Sequence, residues 1–262
     1  KKYRGKAFIK IFGIPIKVSK KYYSSVYGPT LKNKTGFFSV RTGSLHKVRA
    51  LEQWWKMNKA KNFKEFYSIL EMNEIPGYNI GYADKDDNIF YISNGLIPKR
   101  NDKYKWTGVL PGNTSETLWT EYYKTSELPQ VINPESGYIY NANHSPFKST
   151  SLNENPKPKD FATNMGFETF DNNRSTRIFE LVESYDAIDY EAFKTIKYDN
   201  KFPTPFNYNF MNINNIMEMS PENYPEISDI LEQIQKWDRK TDANSTGAGA
   251  YAMFYYTCLL YT

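Results

Sequence analysis

Cysteine is almost missing from this sequence of 262 residues, with Cys258 the only one. An internal disulfide framework and any zinc site built from several thiolates are thereby excluded. Histidine is nearly as scarce. His46 and His144 are the only two, and neither lies in a nucleophile elbow, since Gly43-Ser44-Leu45-His46 is not a Gly-x-Ser-x-Gly turn. A serine–histidine–aspartate apparatus cannot be assembled by motif. Histidines, cysteines and carboxylates do not cluster at metal-ligand spacing, and no glycine-rich phosphate loop is present. Asp84, Asp86 and Asp87 lack the spacing of an EF-hand loop and its distal glutamate, so they read as a hydrated turn. No run approaches eighteen apolar residues, so no membrane span is expected. The first residues, Lys-Lys-Tyr-Arg, show neither an initiator Met nor a signal peptide, and Gly249–Thr262 still reads as an apolar helix where the sequence stops. The expectation is a segment cut from a longer polypeptide.

What the sequence does have is rings. Hydrophobic residues make up 40% and Phe, Trp and Tyr 17%, enough for a substantial core and against a disordered chain. Net charge is +5, with most of the excess in scattered lysines of residues 1–34. Dispersed lysines without stacking aromatics read as a solvated face rather than a nucleic-acid surface.

Phe8–Phe12 and Ile14–Val18 alternate around Gly13 and Pro15, which predicts an antiparallel hairpin, and Gly36–Arg41 predicts a further strand. Arg49–Lys59 carries Leu51, Trp54, Trp55 and Asn58 at helical spacing. Asn62 predicts the cap of a second helix, with Phe63, Phe66, Tyr67 and Leu70 on one face and Glu65 in a box arrangement. Rings so spaced are ordinarily core. Tyr78–Asp84 and Asn88–Asn94 predict the most regular hairpin in the chain. Residues 96–134 read as a long loop. Helices are predicted over Arg174–Ser184, Ala187–Asp199, Pro221–Trp237 and Ala248–Thr262. Strands early and helices in the last third give an α+β class. Residues 1–145 read as mainly β with a helix pair at about 47–73, and residues 146–262 as mainly helical, all within one domain.

One stretch organises the rest: Gly137-Tyr-Ile-Tyr-Asn-Ala-Asn-His-Ser-Pro146. If Tyr138–Tyr140 is a strand, Asn141 and Asn143 project from one face at its end. A side-chain amide held there can donate to a developing oxyanion. By local chemistry alone, asparagines before a proline are ordinary turn formers.

Several blocks, in order, resemble the penicillin acylase (penicillin amidase) family of N-terminal-nucleophile hydrolases. They are Val48–Trp55, Asn58–Phe63, Asn79–Asp84 with Asn88-Ile89, Trp106–Pro111, Leu128–Pro134, Ser136–Ile139 and Asn141–Asn143. Leu231, Trp237-Asp238, Asp242–Ser245 and Gly247-Ala248 add a further block. The resemblance covers the chain from about Gly28 onward. It implies part of an αββα sandwich and an amidohydrolase that cleaves N-acylated small molecules. The family's nucleophile is a serine activated by its own α-amine, and it would lie upstream of Lys1. By resemblance Asn143 donates to the oxyanion, Arg174 stands beside the reaction centre with Arg177 as the alternative, and Trp54 and Tyr78 line the acyl pocket. No cofactor is implied for the chemistry. A structural calcium belongs to some members, and Asp160 is the one carboxylate here that matches a ligand. The implied partners are the small chain of the same processed precursor and the substrate, in a periplasmic or secreted setting. Gly112–Glu121 resembles a branch other than the penicillin-processing one. The alternative from a different class is a non-catalytic binding module that keeps the aromatic cleft without a nucleophile.

Overall fold

The computed structural model describes residues 1–209 and 211–261. The chain divides into two compact units, one of Lys1–Gly137 with Pro156–Phe167 and one of Tyr138–Asn155 with Glu168–Thr262. Sheets come early in the chain and helices later.

The first unit holds two antiparallel sheets. The first has the order β1 (Lys2–Ile11), β2 (Ile14–Ser25), β3 (Gly28–Lys32), β4 (Phe37–Ser39). The expected hairpin is therefore present and longer than the alternation suggested. Its two-residue turn, Phe12-Gly13, has positive φ at both positions, 50° and 82°, the geometry that suits the twist of paired strands. Register places Tyr3 opposite Tyr22, Ile9 opposite Ile16 and Ile11 opposite Ile14. Opposed residues share a face, so one face of the ribbon is apolar. Arg4 opposite Lys21 and Phe8 opposite Lys17 fall on the other face, with Lys2, Lys6 and Lys10. The predicted strand over Gly36–Arg41 shrinks to three residues.

The second sheet has the order β5 (Tyr78–Ala83), β6 (Ile89–Asn94), β7 (Gln130–Ile132). The β5–β6 turn is organised by Asp84, whose Oδ1 accepts from the backbone N–H of Asp86 at 2.9 Å and of Asn88 at 3.0 Å. Helices α1 (Ala50–Met57) and α2 (Phe63–Leu70) precede this sheet. Asn62 caps α2 by accepting the Glu65 N–H at 2.9 Å. The Glu65 carboxylate reaches back one residue further than a strict capping box, to the Lys61 N–H at 2.9 Å. With the cap fixed, Phe66 and Leu70 point inward and form a buried cluster with Phe90, Ile92 and Leu128. Phe63 and Tyr67 lie 5.2 and 5.6 Å from the Phe90 ring. Strand β7 lies inside the stretch that the sequence reads as loop.

In the second unit, among the described residues, Tyr138–Tyr140 joins no sheet. Its polar backbone is met by a loop instead: Tyr140 N–H donates to the Ser149 carbonyl at 2.9 Å, and Thr150 Oγ1 to the Tyr138 carbonyl at 2.8 Å. Four helices follow, α3 (Asn173–Val182), α4 (Tyr190–Lys197), α5 (Ser228–Gln235) and α6 (Thr246–Tyr261). The helix predicted over Pro221–Trp237 begins only at Ser228. Before it, Pro221–Asn223 and Pro225–Ile227 are single 3₁₀ turns, because Pro225 has no N–H for a helical bond and its ring opposes the preceding turn. The expected end of the last helix, Thr262, lies outside the described residues. Phe206, Leu231, Ile234, Trp237 and Tyr251 form the core, with the Trp237 and Tyr251 rings stacked 4.7 Å apart. Gly247 is required there, since a Cβ would meet the Trp237 side chain at 2.3 Å. Among the described residues no helix is long and apolar enough to cross a membrane.

Candidate functional site

Asn143 sits on a short turn rather than at a strand end. Asn141 Oδ1 accepts the Asn143 backbone N–H at 3.2 Å, an Asx turn of the kind that lets a short polar side chain replace a strand ladder. Asn143 itself is left-handed, with φ of 55°, a conformation that asparagine tolerates better than most residues. The two asparagines thus have different tasks: Asn141 shapes the turn and Asn143 is presented by it.

The turn is held from two sides. His144 is buried beneath it, its Nε2 2.5 Å from the Lys148 carbonyl and its Nδ1 accepting the Ala142 N–H at 3.1 Å. A carbonyl neighbour obliges Nε2 to carry the proton, so the ring is neutral with Nδ1 as acceptor. Burial is the main cause that pushes His144 below the ordinary histidine range. Stacking on Tyr140, 5.0 Å away, fixes the ring plane. From the other side comes Asn172, the cap of α3. Its Oδ1 accepts the Ser175 N–H at 3.0 Å, while its Nδ2 donates to the carbonyls of Ala142 and Asn143 at 3.1 and 3.2 Å. One residue starts the helix and clamps the turn.

Two positions into α3, Arg174 Nη2 donates to Asn143 Oδ1 at 3.1 Å. That contact fixes which way the amide faces: its oxygen is taken by the guanidinium, and its NH₂ is exposed with donors to spare. Arg177 is committed elsewhere. Its Nε and Nη2 donate to the two Asp199 oxygens at 2.9 Å each, and Nη1 to Glu180 at 3.2 Å. Pairing with Asp199 holds the Arg177 guanidinium above its usual range, and the same pairing holds the Asp199 carboxyl below its own.

Trp54 and Tyr78 belong to the first unit. Their rings meet edge to face, 6.1 Å between centroids, and both are about half exposed, at 53% and 51%. Burial of the neighbouring Gln53 sets this arrangement. Its Oε1 accepts the N–H groups of Glu74 and Ile75 at 2.7 and 2.9 Å, pinning α1 so that Trp54 turns outward. The pairs Asn143–Arg174 and Trp54–Tyr78 are thus each assembled, in separate units.

Asp160 ends a 3₁₀ turn, Pro158–Asp160, exposed at a cleft shared with Gln130 and Phe161. Among the described residues no three His, Cys, Asp or Glu side chains are grouped to hold a metal ion. Calcium takes six to eight oxygens, of which the Asp160 carboxylate could supply at most two.

Sequence reasoning passed over Asn172 and His144. Asn172 had a readable signal, because Asn-x-x-Ser before an apolar helical run is a capping arrangement. His144 had none, since a strut under a turn carries no pattern of its own.

A model of the family described as penicillin amidase matches residues 4–261. Penicillin G acylase of Escherichia coli is 31% identical over 130 residues, which cover 48% of this chain and 15% of that protein. An acyl-homoserine lactone acylase PvdQ of Pseudomonas fluorescens is 26% identical over 159 residues, covering 51% of this chain and 20% of that one. A thermostable penicillin G acylase from Alcaligenes faecalis superposes with a TM-score of 0.64 at 18% identity, over 93% of this chain and 42% of its own. That likeness shows a shared fold, and the chain spans well under half the length of each of these relatives. With a family model matched over nearly every residue and an acylase fold in common, the chain belongs to the penicillin amidase family.

Proposed function

We propose that this chain supplies the oxyanion-stabilising and acyl-recognition parts of an amidohydrolase that cleaves linear amides of N-acylated small molecules, such as lactone or peptide derivatives. In this reading the nucleophile is an N-terminal serine outside residues 1–262, released by self-processing of a precursor that also gives a small chain. The setting, by resemblance to the family, is periplasmic or secreted. The observation that carries the proposal is the Arg174–Asn143 contact at 3.1 Å, which leaves the Asn143 NH₂ as a directed donor.

The serine α-amine takes the hydroxyl proton as Oγ attacks the amide carbonyl. Negative charge gathers on the carbonyl oxygen, and Asn143 Nδ2–H donates to it. Arg174 acts through Asn143: by holding Oδ1 it stops the amide from rotating and draws electron density from it. Collapse expels the amine, which takes the proton, and water then opens the acyl-serine ester to release a carboxylic acid. Trp54 and Tyr78 form an aromatic wall for the acyl chain in this scheme.

Replacing Asn143 by Ala in the full-length protein should lower kcat by about 10²–10³, the usual effect of losing one oxyanion donor. Folding, followed by circular dichroism, should persist. Turnover within a few-fold of the parent would refute the assignment, and a full-length protein without an N-terminal serine at the processing junction would favour the binding-module alternative.

A further inference from the structure

The first unit also carries a cleft whose lining includes none of Trp54, Tyr78, Asn143 and Arg174. This cleft of about 710 Å³ opens between the β1–β4 sheet and residues 100–119, within the size range of small-molecule pockets. Two arginines line it with two tryptophans. Arg41 lies over Trp119, its Cζ 5.0 Å from the ring centroid, and Arg100 lies 5.8 Å from both Trp106 and Trp119. The two indoles meet at 5.8 Å, close to edge on.

The charge in this cleft is uncompensated. Arg41 donates to the carbonyls of Val26 and Trp119 at 3.3 and 2.9 Å. Arg100 donates to those of Asn164 and Met165 at 2.5 and 3.2 Å. Carbonyls orient a guanidinium without cancelling its charge. Arg177 makes the contrast, with a carboxylate on each side. Among the described residues Arg41 and Arg100 have no such partner, and the nearby Glu116 is occupied by Lys103 and Tyr104. No acidic residue lines the cleft, and none occurs in the sequence before Glu52. Among the described residues, the buried Nε atoms of both arginines and Nε1 of Trp119 have no hydrogen-bond partner. Desolvation without a carboxylate also lowers the Arg100 pKa.

The remainder of the lining mixes rings and aliphatic groups, including Phe37, Phe38 and Leu110, with hydroxyl residues, glycines and a third cation, Lys1. The hydroxyls of Ser25, Thr30 and Ser39 are tied to one another at 2.8 Å along one edge. A cleft with fixed cations and apolar walls suits one planar anionic group on a flat apolar body. Guanidinium forks match carboxylates in the plane, and indole faces and edges accept aromatic rings. From the juxtaposition of unpaired Arg41 and Arg100 with Trp106 and Trp119, we propose that this cleft binds an aromatic carboxylate. Binding here stands whether or not the amide chemistry proposed above is right, because neither Asn143 nor Arg174 takes part.

Isothermal calorimetry on the purified protein tests it, with naphthoate, the neutral naphthalenemethanol and inorganic phosphate as probes. Naphthoate should bind at least about tenfold more tightly than the alcohol, as expected for a charge-assisted hydrogen bond. Arg41→Met should remove that preference while leaving the alcohol unchanged, and Arg41→Lys should restore part of it. Near-ultraviolet circular dichroism shows whether each variant is folded; should Arg41→Met fail, the probe comparison and Arg41→Lys still decide. Equal binding of acid and alcohol, no binding of naphthoate, an Arg41→Met variant with unaltered preference, or displacement of naphthoate by equimolar phosphate would each overturn the proposal.

Discussion

Two antiparallel hairpins in the first unit begin from the same alternating pattern and end in opposite surroundings. In β5–β6 the inward residues Phe90 and Ile92 are fully buried beneath α2. In β1–β2 the corresponding apolar face stays open among the described residues, with Ile9 51% and Ile14 66% exposed. Alternation sets which face of a strand pair is apolar, and with the turn its register, but burial comes from what is laid over it. The first hairpin is held by its ladder and turn, and the second by a core.

The largest test of this contrast is a pair of substitutions followed by urea unfolding. Phe90→Ala should cost about 3–5 kcal/mol, as buried Phe-to-Ala changes do, whereas Ile16→Thr on the open hairpin should stay within about 0.5 kcal/mol. Equal losses would mean that the hairpin face is covered after all. A smaller effect sharpens the role of the cover. Asn62→Ala removes the cap of α2 and should cost about 1 kcal/mol, while Asn62→Asp should keep most of it.

Acid probes the comparison from another side. The β1–β2 hairpin has no carboxylate or histidine, so nothing in it takes up a proton as pH falls toward 4. His144 in the second unit is held neutral by burial, its pKa below the unfolded value. The unfolded chain therefore binds the proton first, and the stability His144 contributes is present above the ordinary histidine range. It is lost as pH falls through the depressed folded value. The urea midpoint should drop on acidification in the parent, with a shallower slope in His144→Gln; identical slopes would show that His144 is not a contributor.

Much of the fold was legible where short-range pattern decides it. Both hairpins, the α1–α2 pair and the Asn62 cap follow from period, turn residues and a side-chain acceptor one turn before its partner. Two of the misses share a cause. Strand β7 exists because β6 offers an unpaired edge to Gln130–Ile132, and Tyr138–Tyr140 is no strand because no edge is offered to it. Neither fact resides in the segment itself. Pro225 truncating α5 was local and readable, but was outweighed by apolar spacing through Ile227 to Trp237. At the candidate site, resemblance pointed to Asn143 and Arg174, whose contact no spacing rule would predict across 31 residues. That Arg177 is committed to Asp199 while Arg174 meets Asn143 is a matter of packing.

The left-handed backbone of Asn143 bears on how its proposed oxyanion role can be dissected. At φ of 55° an alanine pays a conformational penalty that glycine avoids, on the order of 1 kcal/mol. Truncation to alanine therefore mixes two losses, one of a donor and one of a comfortable main chain. Asn143→Gly removes the amide while keeping the hand of the turn, and Asn143→Asp keeps shape and hand but replaces the donor with a negative acceptor. Read together, the three variants separate geometry from electrostatics at a single atom. Few side chains other than asparagine both tolerate this backbone and carry an amide donor, so the position leaves little latitude for substitution.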